Sequence, residues 1–287
     1  MSDIPPLAGF QGALAQARLA NRSNLCIGLD PDPGRMPGGF QGAAGLLAFS
    51  REIIAATSDL VCAYKPNLAF FERFGAKGWA ALERTVAAVP ERVPVIADAK
   101  RGDIGNTSRG YAEAVFDRLR CRACTVSPYL GVDAVEPLIE HPGGFAYILC
   151  RTSNPGAAEI QDLDVDGEPL FARVIRLFQP ALQRGVAGLV IGARERQAFS
   201  CAARLAPNAS ILVPGIGAQG GTVEELAAAL TDVQARSVVV NVSRDILYAS
   251  NGRDFAQAAR AAALQIRTEL QAALNDRERQ HGSAATG

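Results

Sequence analysis

The sequence predicts an α/β protein that folds as one closed (β/α)8 barrel, the TIM barrel. Eight short apolar runs follow one another along the chain, with segments of helical periodicity between them. The runs are rich in Val and Ile and lack polar alternation, as is typical of parallel strands covered on both faces. Eight such repeats without an internal break favour a closed barrel over an open, doubly wound sheet.

The predicted strands are the apolar runs that have turn-forming residues on each side. They are residues 25–29, 60–64, 93–97, 124–127, 145–150, 188–191, 211–213 and 237–241. Helical periodicity predicts helices at residues 78–89, 107–119, 169–184, 222–230 and 254–274. Thr222 and Glu225 are spaced as a capping box, in which each side chain bonds an amide at the start of the helix.

The whole chain, residues 1–287, is predicted to form a single barrel domain. A chain of this length fits one barrel, and no linker rich in Pro, Gly and Ser separates the periodic segments. We expect residues 1–24 to form an N-terminal helical extension. Residues 275–287 are polar and small, which predicts a disordered tail.

The charge balance and hydropathy exclude several classes of partner. Lys plus Arg and Asp plus Glu both number 29, so the net charge is zero and gives no basic surface for nucleic acid. No apolar run approaches the roughly 18 residues of a membrane helix, and residues 1–24 do not resemble a signal peptide. We therefore expect a soluble cytoplasmic protein that binds neither nucleic acid nor membrane.

The cysteines and histidines do not predict a metal site. Cys121 and Cys124 form a lone C-x-x-C with no second pair, and the histidines are His141 and His281 alone. Zinc sites need a fuller set of nitrogen and sulfur ligands. The cysteines in apolar runs are expected to be small buried hydrophobic side chains, and we expect no bound metal.

Charged residues follow the first three predicted strands. The first run ends at Asp30, the second at Lys65, and the third leads into a segment that contains Asp98, Lys100 and Asp103. Residues two apart on an extended segment point the same way, so Asp98 and Lys100 are expected to enter one cavity. Buried charges are tolerated when paired, and an alternating Lys–Asp–Lys–Asp array satisfies that condition. A purely structural ion-pair network is the alternative that these residues leave open.

The loops after the last two strands predict a phosphate site. Residues 214–221 (PGIGAQGG) follow the seventh strand, and Arg244 follows the eighth. Barrels often bind phosphate there through backbone amides, and Arg244 can add a bidentate contact. Residues 215–220 also match the glycine pattern of dinucleotide sites, but that short pattern is weak and falls late in the chain. Together with the charged array, the loops predict a small phosphorylated substrate.

These segments resemble one known family. Residues 98–107 (DAKRGDIGNT) resemble the signature of orotidine 5′-phosphate decarboxylases. Residues 28–30, 64–67, 214–221 and 242–245 occur in the order that the family shows, so the resemblance covers roughly residues 25–250. The length and the GLDPDP opening are similar to the longer bacterial branch of the family.

The resemblance implies roles for the charged residues. Lys100 would donate a proton to C6 of the pyrimidine, Asp98 would face the substrate carboxylate, and Lys65 would bridge the acids and touch the ribose. Asp103 and Thr107 would reach into the neighbouring subunit's site. The protein would then be a homodimer with shared active sites.

The resemblance also implies the residues that bind the substrate. Asp30 would hold a ribose hydroxyl, Ser153 would contact the base, and Gln219 and Arg244 would hold the phosphate. The substrate would be orotidine 5′-phosphate and the product UMP, formed in pyrimidine biosynthesis without a metal or any other cofactor. Residues 153–167 and 214–221 would be the loops that close over the site.

Three alternatives stay open at the level of the sequence. A related barrel decarboxylase could act on a sugar phosphate with the same Asp-x-Lys-x-x-Asp spacing and a magnesium ion. A class I aldolase could form a Schiff base at Lys65 or Lys100, although acids flank these lysines and that chemistry needs an unpaired one. A non-catalytic phosphate-binding barrel is the third alternative.

Overall fold

Eight parallel strands form the centre of the protein in a computed structural model that describes residues 9–217 and 220–282. The strands are β1 (Leu25–Leu29), β2 (Ala63–Pro66), β3 (Ile96–Arg101), β4 (Ala123–Val126), β5 (Ala146–Arg151), β6 (Ala187–Ile191), β7 (Ser210–Pro214) and β8 (Val239–Val242). Their order around the sheet is β2-β1-β8-β7-β6-β5-β4-β3. Parallel bridges from Tyr64 to Val95 and from Asn67 to Asp98 close the ring between β2 and β3, which confirms the predicted barrel.

Helices connect the strands and cover the outside of the barrel. They are α1 (Gly9–Asn21), α2 (Gly42–Thr57), α3 (Leu68–Glu72), α4 (Gly75–Val86), α5 (Gly105–Ala112), α6 (Val132–Ile139), α7 (Ala158–Gln161), α8 (Leu170–Gln183), α9 (Arg196–Leu205), α10 (Val223–Ala229), α11 (Asp232–Ser237), α12 (Arg244–Leu247) and α13 (Phe255–Gly282). A π-helical segment, Glu113–Arg118, continues α5. A two-stranded hairpin, Asp164–Val165 with Glu168–Pro169, lies in the loop after β5. No helix in the described part of the chain is both long and apolar enough to cross a membrane.

The predicted bounds of β2 and β3 are wrong by a few residues. Both strands begin about three residues later than predicted and continue through charged positions. An apolar-run criterion ends a strand at its first charge, but backbone pairing continues wherever a charged side chain finds a partner inside the barrel. Lys65 therefore lies within β2, and Asp98 and Lys100 lie within β3.

Several helix predictions also need correction. The predicted helix 107–119 divides into α5 and the π-helical segment, and α4 lies three residues earlier than predicted. The predicted tail is wrong over residues 275–282, because α13 continues to Gly282; residues 283–287 lie outside the described chain, as do residues 1–8. The sequence did not single out α2, α6 or α9. The capping box of Thr222 and Glu225 is confirmed, with Thr222 Oγ1 accepting from the Glu225 amide at 3.1 Å.

Helix α1 closes the amino-terminal end of the barrel. The rings of Phe10 and Phe145 lie 4.8 Å apart, and Phe10 and Leu14 join an apolar cluster inside the strands. Arg18 fixes the helix by donating hydrogen bonds of 2.5 Å to the carbonyl oxygens of Ser237 and Val238. The barrel interior is therefore apolar and filled at this end.

The alternation of side chains along a strand places the polar site directly above this cluster. Inward positions in the cluster include Ala63, Ile96, Ala123, Tyr147 and Val239. Because strand side chains repeat every two residues, the next inward positions are two residues further on. They are Lys65, Asp98, Thr125, Leu149 and Asn241, and all of them line a cavity. The same strands thus supply an apolar plug and, one layer above it, a polar site.

Candidate active site

A cavity of about 310 Å³ opens at the carboxyl ends of the strands. This volume lies at the lower end of the range for small-molecule sites. Loops after β1, β5, β7 and β8 complete its wall. The lining residues are Asp30, Lys65, Asn67, Asp98, Lys100, Thr125, Leu149, Thr152, Ser153, Asn154, Val190, Leu212, Pro214, Gly215, Ile216, Asn241, Ser243, Arg244 and Asp245.

A carboxylate held between two ammonium groups dominates the cavity. Asp98 Oδ2 lies 2.6 Å from Lys65 Nζ, and Asp98 Oδ1 lies 2.5 Å from Lys100 Nζ. The side chains of Lys65 and Asp98 are 6% and 11% exposed, whereas that of Lys100 is 53% exposed. The buried pair therefore forms the base of the array, and the Lys100 ammonium faces the open cavity.

The environment keeps the buried members of the array charged. Burial by itself would raise the pKa of the Asp98 carboxyl, but the ammonium groups of Lys65 and Lys100 hold it well below its usual value. Burial would likewise lower the pKa of Lys65, but the carboxylates of Asp98 and Asp30 raise it above its usual value. Both groups are ionised at neutral pH.

A β-bulge explains how Asp98 and Lys100 come to share the cavity. The sequence predicts this meeting from regular extended geometry, but the structure gives a different reason. Pairing with β4 runs from Ala97 opposite Cys124 to Arg101 opposite Val126, so residues 98–100 lie opposite Thr125 alone. Lys100 has φ of +48°, in the left-handed region that non-glycine residues rarely adopt. The expected juxtaposition is present, and the expected backbone geometry is wrong.

The ends of β1 and β8 bring further polar groups beside Lys65. Asp30 lines the cavity, and its Oδ1 is buried without a hydrogen-bond partner among the described residues, as is Asn241 Oδ1. Asn241 Nδ2 donates to Ser243 Oγ at 3.3 Å. A Cβ atom at Gly28 would overlap Ser243 Oγ, so only glycine lets β1 approach this pair. The charge of Asp30 marks it as a site residue in the sequence, whereas Asn241 was missed because an Asn at the end of an apolar strand carries no charge.

The described part of the predicted phosphate site borders the same cavity. Arg244, at the start of α12, is exposed and lines the cavity together with residues 214–216. Gly217 has φ of +83°, and a Cβ atom there would overlap Asp245 Oδ2, so the loop after β7 packs closely against the turn after β8. Gln219 lies outside the described residues.

The loop after β5 reaches the cavity at Ser153, and an arginine braces this loop. Arg151 Nε and one of its terminal nitrogens donate to the two carboxylate oxygens of Asp162 at 2.7 and 2.9 Å. Thr152 N donates to Gln161 Oε1 at 2.8 Å. The predicted closing loop is thus cross-linked by polar contacts and carries short regular elements rather than irregular backbone alone.

Asp103 and Thr107 do not line the cavity of their own chain. Asp103 Oδ1 accepts a hydrogen bond from the Ile104 amide at 2.7 Å, and Thr107 is exposed on α5. Large apolar side chains are exposed next to Asp103 and on the loop after β4. Ile104 is 62% exposed, Tyr129 80% and Leu130 54%. Within one chain the charged array therefore comprises Lys65, Asp98 and Lys100, without the predicted fourth member.

The arrangement is chemically suited to hold an anion beside an ammonium group that can release a proton. Within the described part of the chain, no three His, Cys, Asp or Glu side chains lie close enough together to hold a metal ion. The mixed array of amines and one carboxylate is also a poor donor set for a cation, since two of its three members are positively charged. Its natural ligand is a small molecule with more than one negative group.

Comparisons with known proteins place this chain in one family. Residues 23–261 match the model of the "Orotidine 5′-phosphate decarboxylase / HUMPS family". The chain is 47% identical over 257 residues to orotidine 5′-phosphate decarboxylase of Herpetosiphon aurantiacus, covering 88% of this chain and 95% of that one. It is 48% identical over 268 residues to the enzyme of that name from a Roseiflexus species, covering 92% and 98%.

Solved structures give the same result. The fold is similar to that of Leishmania donovani OMP decarboxylase with a TM-score of 0.82 and 36% identity, covering 93% of this chain and 99% of the other. This chain belongs to the orotidine 5′-phosphate decarboxylase / HUMPS family.

Proposed function

We propose that this protein is a carboxy-lyase that converts orotidine 5′-phosphate to UMP and CO2 in pyrimidine biosynthesis, without a metal or other cofactor. The observation that carries the proposal is the Lys65–Asp98–Lys100 array in a cavity that Arg244 also lines. An acid faces a substrate carboxylate there, an ammonium group faces the carbon that loses it, and a guanidinium holds a remote phosphate.

The substrate is expected to span the cavity from the array to the phosphate loops. Arg244, the amides after β7 and Gln219 would bind the phosphate. Asp30 and Lys65 would hold ribose hydroxyls, which fits the unpartnered, buried Asp30 Oδ1. Ser153, on the braced loop after β5, would contact the base. This order places C6 of the pyrimidine beside Lys100.

The proposed reaction balances with Lys100 as its proton donor. The bond between C6 and the carboxylate breaks, the electron pair stays on C6, and neutral CO2 leaves. A proton passes from Lys100 Nζ to C6 and gives UMP, and solvent then reprotonates the amine. The negative charge at C6 cannot delocalise into the ring. A fixed ammonium group beside C6 therefore stabilises the transition state more than it stabilises the bound substrate.

The Asp98 carboxylate would repel the bound substrate more than it repels the transition state. A carboxylate about 4 Å from Asp98 at an effective dielectric near 20 is repelled by about 4 kcal/mol, and this repulsion disappears as CO2 forms. Binding of the remote phosphate would offset the repulsion and close the loops over the site. The repulsion supplies only part of the barrier reduction, so the larger role falls to Lys100.

The use of lysine at this site supports proton transfer. The sequence contains three lysines, Lys65, Lys77 and Lys100, and 26 arginines, and two of the three lysines meet at Asp98. Arginine cannot release its proton under ordinary conditions, whereas lysine can. A chain that places arginine at most of its cationic positions thus keeps lysine where a transferable proton is needed.

We also propose that two copies of the chain form a homodimer with shared active sites. The exposed apolar side chains of Ile104, Tyr129 and Leu130 form an edge beside Asp103, and such an edge fits a symmetric interface. Mixing the inactive variants Lys100→Ala and Asp103→Asn would test the sharing. Mixed dimers would contain one intact site and regain activity, whereas a lack of recovery would refute shared sites.

The enzyme is proposed to work in the cytoplasm. All six cysteines are free, buried thiols, which agrees with a reducing compartment.

The decisive test of the activity is the loss of orotidine 5′-phosphate absorbance on adding protein treated with EDTA. We expect turnover that the chelator does not affect, with release of one CO2 for each UMP. Loss of activity in EDTA that magnesium restores, together with turnover of a sugar phosphate, would favour the metal-dependent relative instead. Tight nucleotide binding without turnover would favour a non-catalytic barrel.

A further inference from the structure

The hydroxyl of Thr125 is the contact point between β4 and the bulge of β3. Thr125 is 2% exposed and lies on the inner face of the barrel. Its Oγ1 donates to Asp98 Oδ1 at 3.0 Å and accepts from the backbone amides of Ala99 and Lys100 at 3.1 and 3.0 Å. One side chain thus contacts the carboxylate and the backbone of the residues that carry the proposed chemistry.

The direction of these hydrogen bonds follows from the capacity of a hydroxyl group. A threonine hydroxyl has one proton to donate and two lone pairs that accept. The amides of Ala99 and Lys100 can only donate, so they occupy both lone pairs. The single proton must therefore point at Asp98, whose ionised carboxylate can only accept. All three hydrogen-bonding positions of the hydroxyl are used, and one of them holds Asp98 Oδ1.

The bulge needs such a contact because its backbone has lost its regular partners. Residues 98–100 lie opposite Thr125 alone, so the amides of Ala99 and Lys100 cannot both pair with β4 backbone. Buried amides without an acceptor are unfavourable, and Lys100 holds a φ of +48° that its side chain disfavours. The hydroxyl supplies the missing acceptor at this point of the strand.

We propose that Thr125 is a positioning residue for decarboxylation, which sets the bulge so that Lys100 Nζ and the Asp98 carboxylate face the substrate together. This inference rests on the proposed function. Thr125 itself does not touch the reacting atoms in the proposed mechanism. It acts by fixing where the proton donor stands relative to the acid.

The test compares Thr125→Val, which keeps the shape and removes the hydroxyl, with Thr125→Ser, which restores the hydroxyl. We expect Thr125→Val to lower kcat by about 10- to 100-fold, because two amides and a carboxylate lose their partner. The affinity for UMP should change little, since the phosphate and ribose contacts lie elsewhere. Thr125→Ser should recover most of kcat.

Thr85→Val provides the matched control for a buried threonine. Thr85 is fully buried, and its hydroxyl donates only to the Ala81 carbonyl within α4, at 2.8 Å. We expect Thr85→Val to lower the melting temperature and leave kcat unchanged. An equal loss of kcat in the two valine variants, or a serine variant as slow as Thr125→Val, would overturn the proposal.

A crystal structure of Thr125→Val separates this inference from the proposed function. We expect Lys100 Nζ to have left Asp98 Oδ1 and the bulge to have rearranged. If the wild-type protein fails to consume orotidine 5′-phosphate but the bulge rearranges as expected, the activity assignment fails, and what stands is that Thr125 sets the bulge and the position of Lys100. An unchanged bulge would refute the positioning role whatever the wild type does.

Discussion

Replacing Asp98 by Asn is the perturbation whose effect follows most directly from the observed geometry. The amide has nearly the same shape as the carboxylate but carries no charge. In the wild type, the two carboxylate oxygens lie 2.6 and 2.5 Å from the ammonium groups of Lys65 and Lys100. The variant leaves the buried Lys65 without its main counter-charge.

The expected loss of stability is about 3–5 kcal/mol, as for other buried ion pairs that lose one partner. The Coulomb attraction of the Lys65 pair alone is about 5.5 kcal/mol at about 3 Å and an effective dielectric of 20. The Lys100 pair adds less, because the Lys100 side chain is 53% exposed and water screens it. Asp59→Asn is the matched control. Its pair with Arg260 has similar distances, but both side chains are largely exposed, so we expect a loss below about 1 kcal/mol.

The sign of the pH dependence follows from the lowered pKa of Asp98. The folded-state pKa lies below the unfolded one, so the unfolded chain binds the proton more readily as the pH falls. The advantage of the wild type over Asp98→Asn is therefore full above about pH 4 to 5, where both states are ionised, and is lost as the pH falls below about 4. The raised pKa of Lys65 keeps the amine charged, and its contribution is lost only in alkaline solution above its usual pKa.

Urea unfolding of the wild type and both variants between pH 3 and 8 measures these differences. Asp98→Asn should also abolish turnover, since the variant lacks the acid that faces the substrate and orients Lys100. A stability loss at pH 7 no greater than that of Asp59→Asn would refute the electrostatic account of the array. So would a difference that grows as the pH falls.

Three further changes test the surroundings of the array. Arg151→Lys replaces the two hydrogen bonds to Asp162 by a single one, which should weaken the contact by about 1 kcal/mol. We expect about a fivefold rise in KM and a smaller effect on kcat, whereas an unchanged KM would show that this contact does not support substrate binding. Gly28→Ala would push a methyl group into Ser243 Oγ, and we expect urea unfolding to show a loss of stability of about 1–3 kcal/mol. Wild-type stability would mean that the strands move apart at little energetic cost. Tyr248→Phe removes two 2.7 Å hydrogen bonds to the backbone after β1, and we expect a loss of stability of about 1–2 kcal/mol by urea unfolding. Unchanged stability would mean that water replaces the hydroxyl.

The barrel and the identity of the array could be predicted from the sequence for clear physical reasons. Parallel strands buried on both faces produce apolar runs, and β1 was predicted with its observed bounds, Leu25–Leu29. Charges are rare inside a barrel, so Lys65, Asp98 and Lys100 stand out where apolar runs end. Closure then brings those strand ends together. Composition and periodicity determine these features without detailed geometry.

Other features depend on geometry that the sequence pattern does not express. The amides of the β3 bulge bond a hydroxyl from the neighbouring strand, and Thr125 looks like an ordinary β-strand residue in its own segment. Asn241 is uncharged and closes an apolar run, so nothing marks it as part of a cavity. The continuation of α13 beyond residue 274 was missed because polar, small residues form helices as readily as tails when the preceding turns are anchored.

In the proposed mechanism, the Lys100 ammonium group, held by Asp98, provides the proton that decarboxylation requires. The most direct measurement is the rate of orotidine 5′-phosphate decarboxylation by Lys100→Ala, alongside the affinity of that variant for UMP, with Lys77→Ala on the outer helix α4 as the control. We expect Lys100→Ala to bind the nucleotide and to lose decarboxylation by several orders of magnitude, while Lys77→Ala matches the wild type. Near-normal turnover by Lys100→Ala would contradict this mechanism.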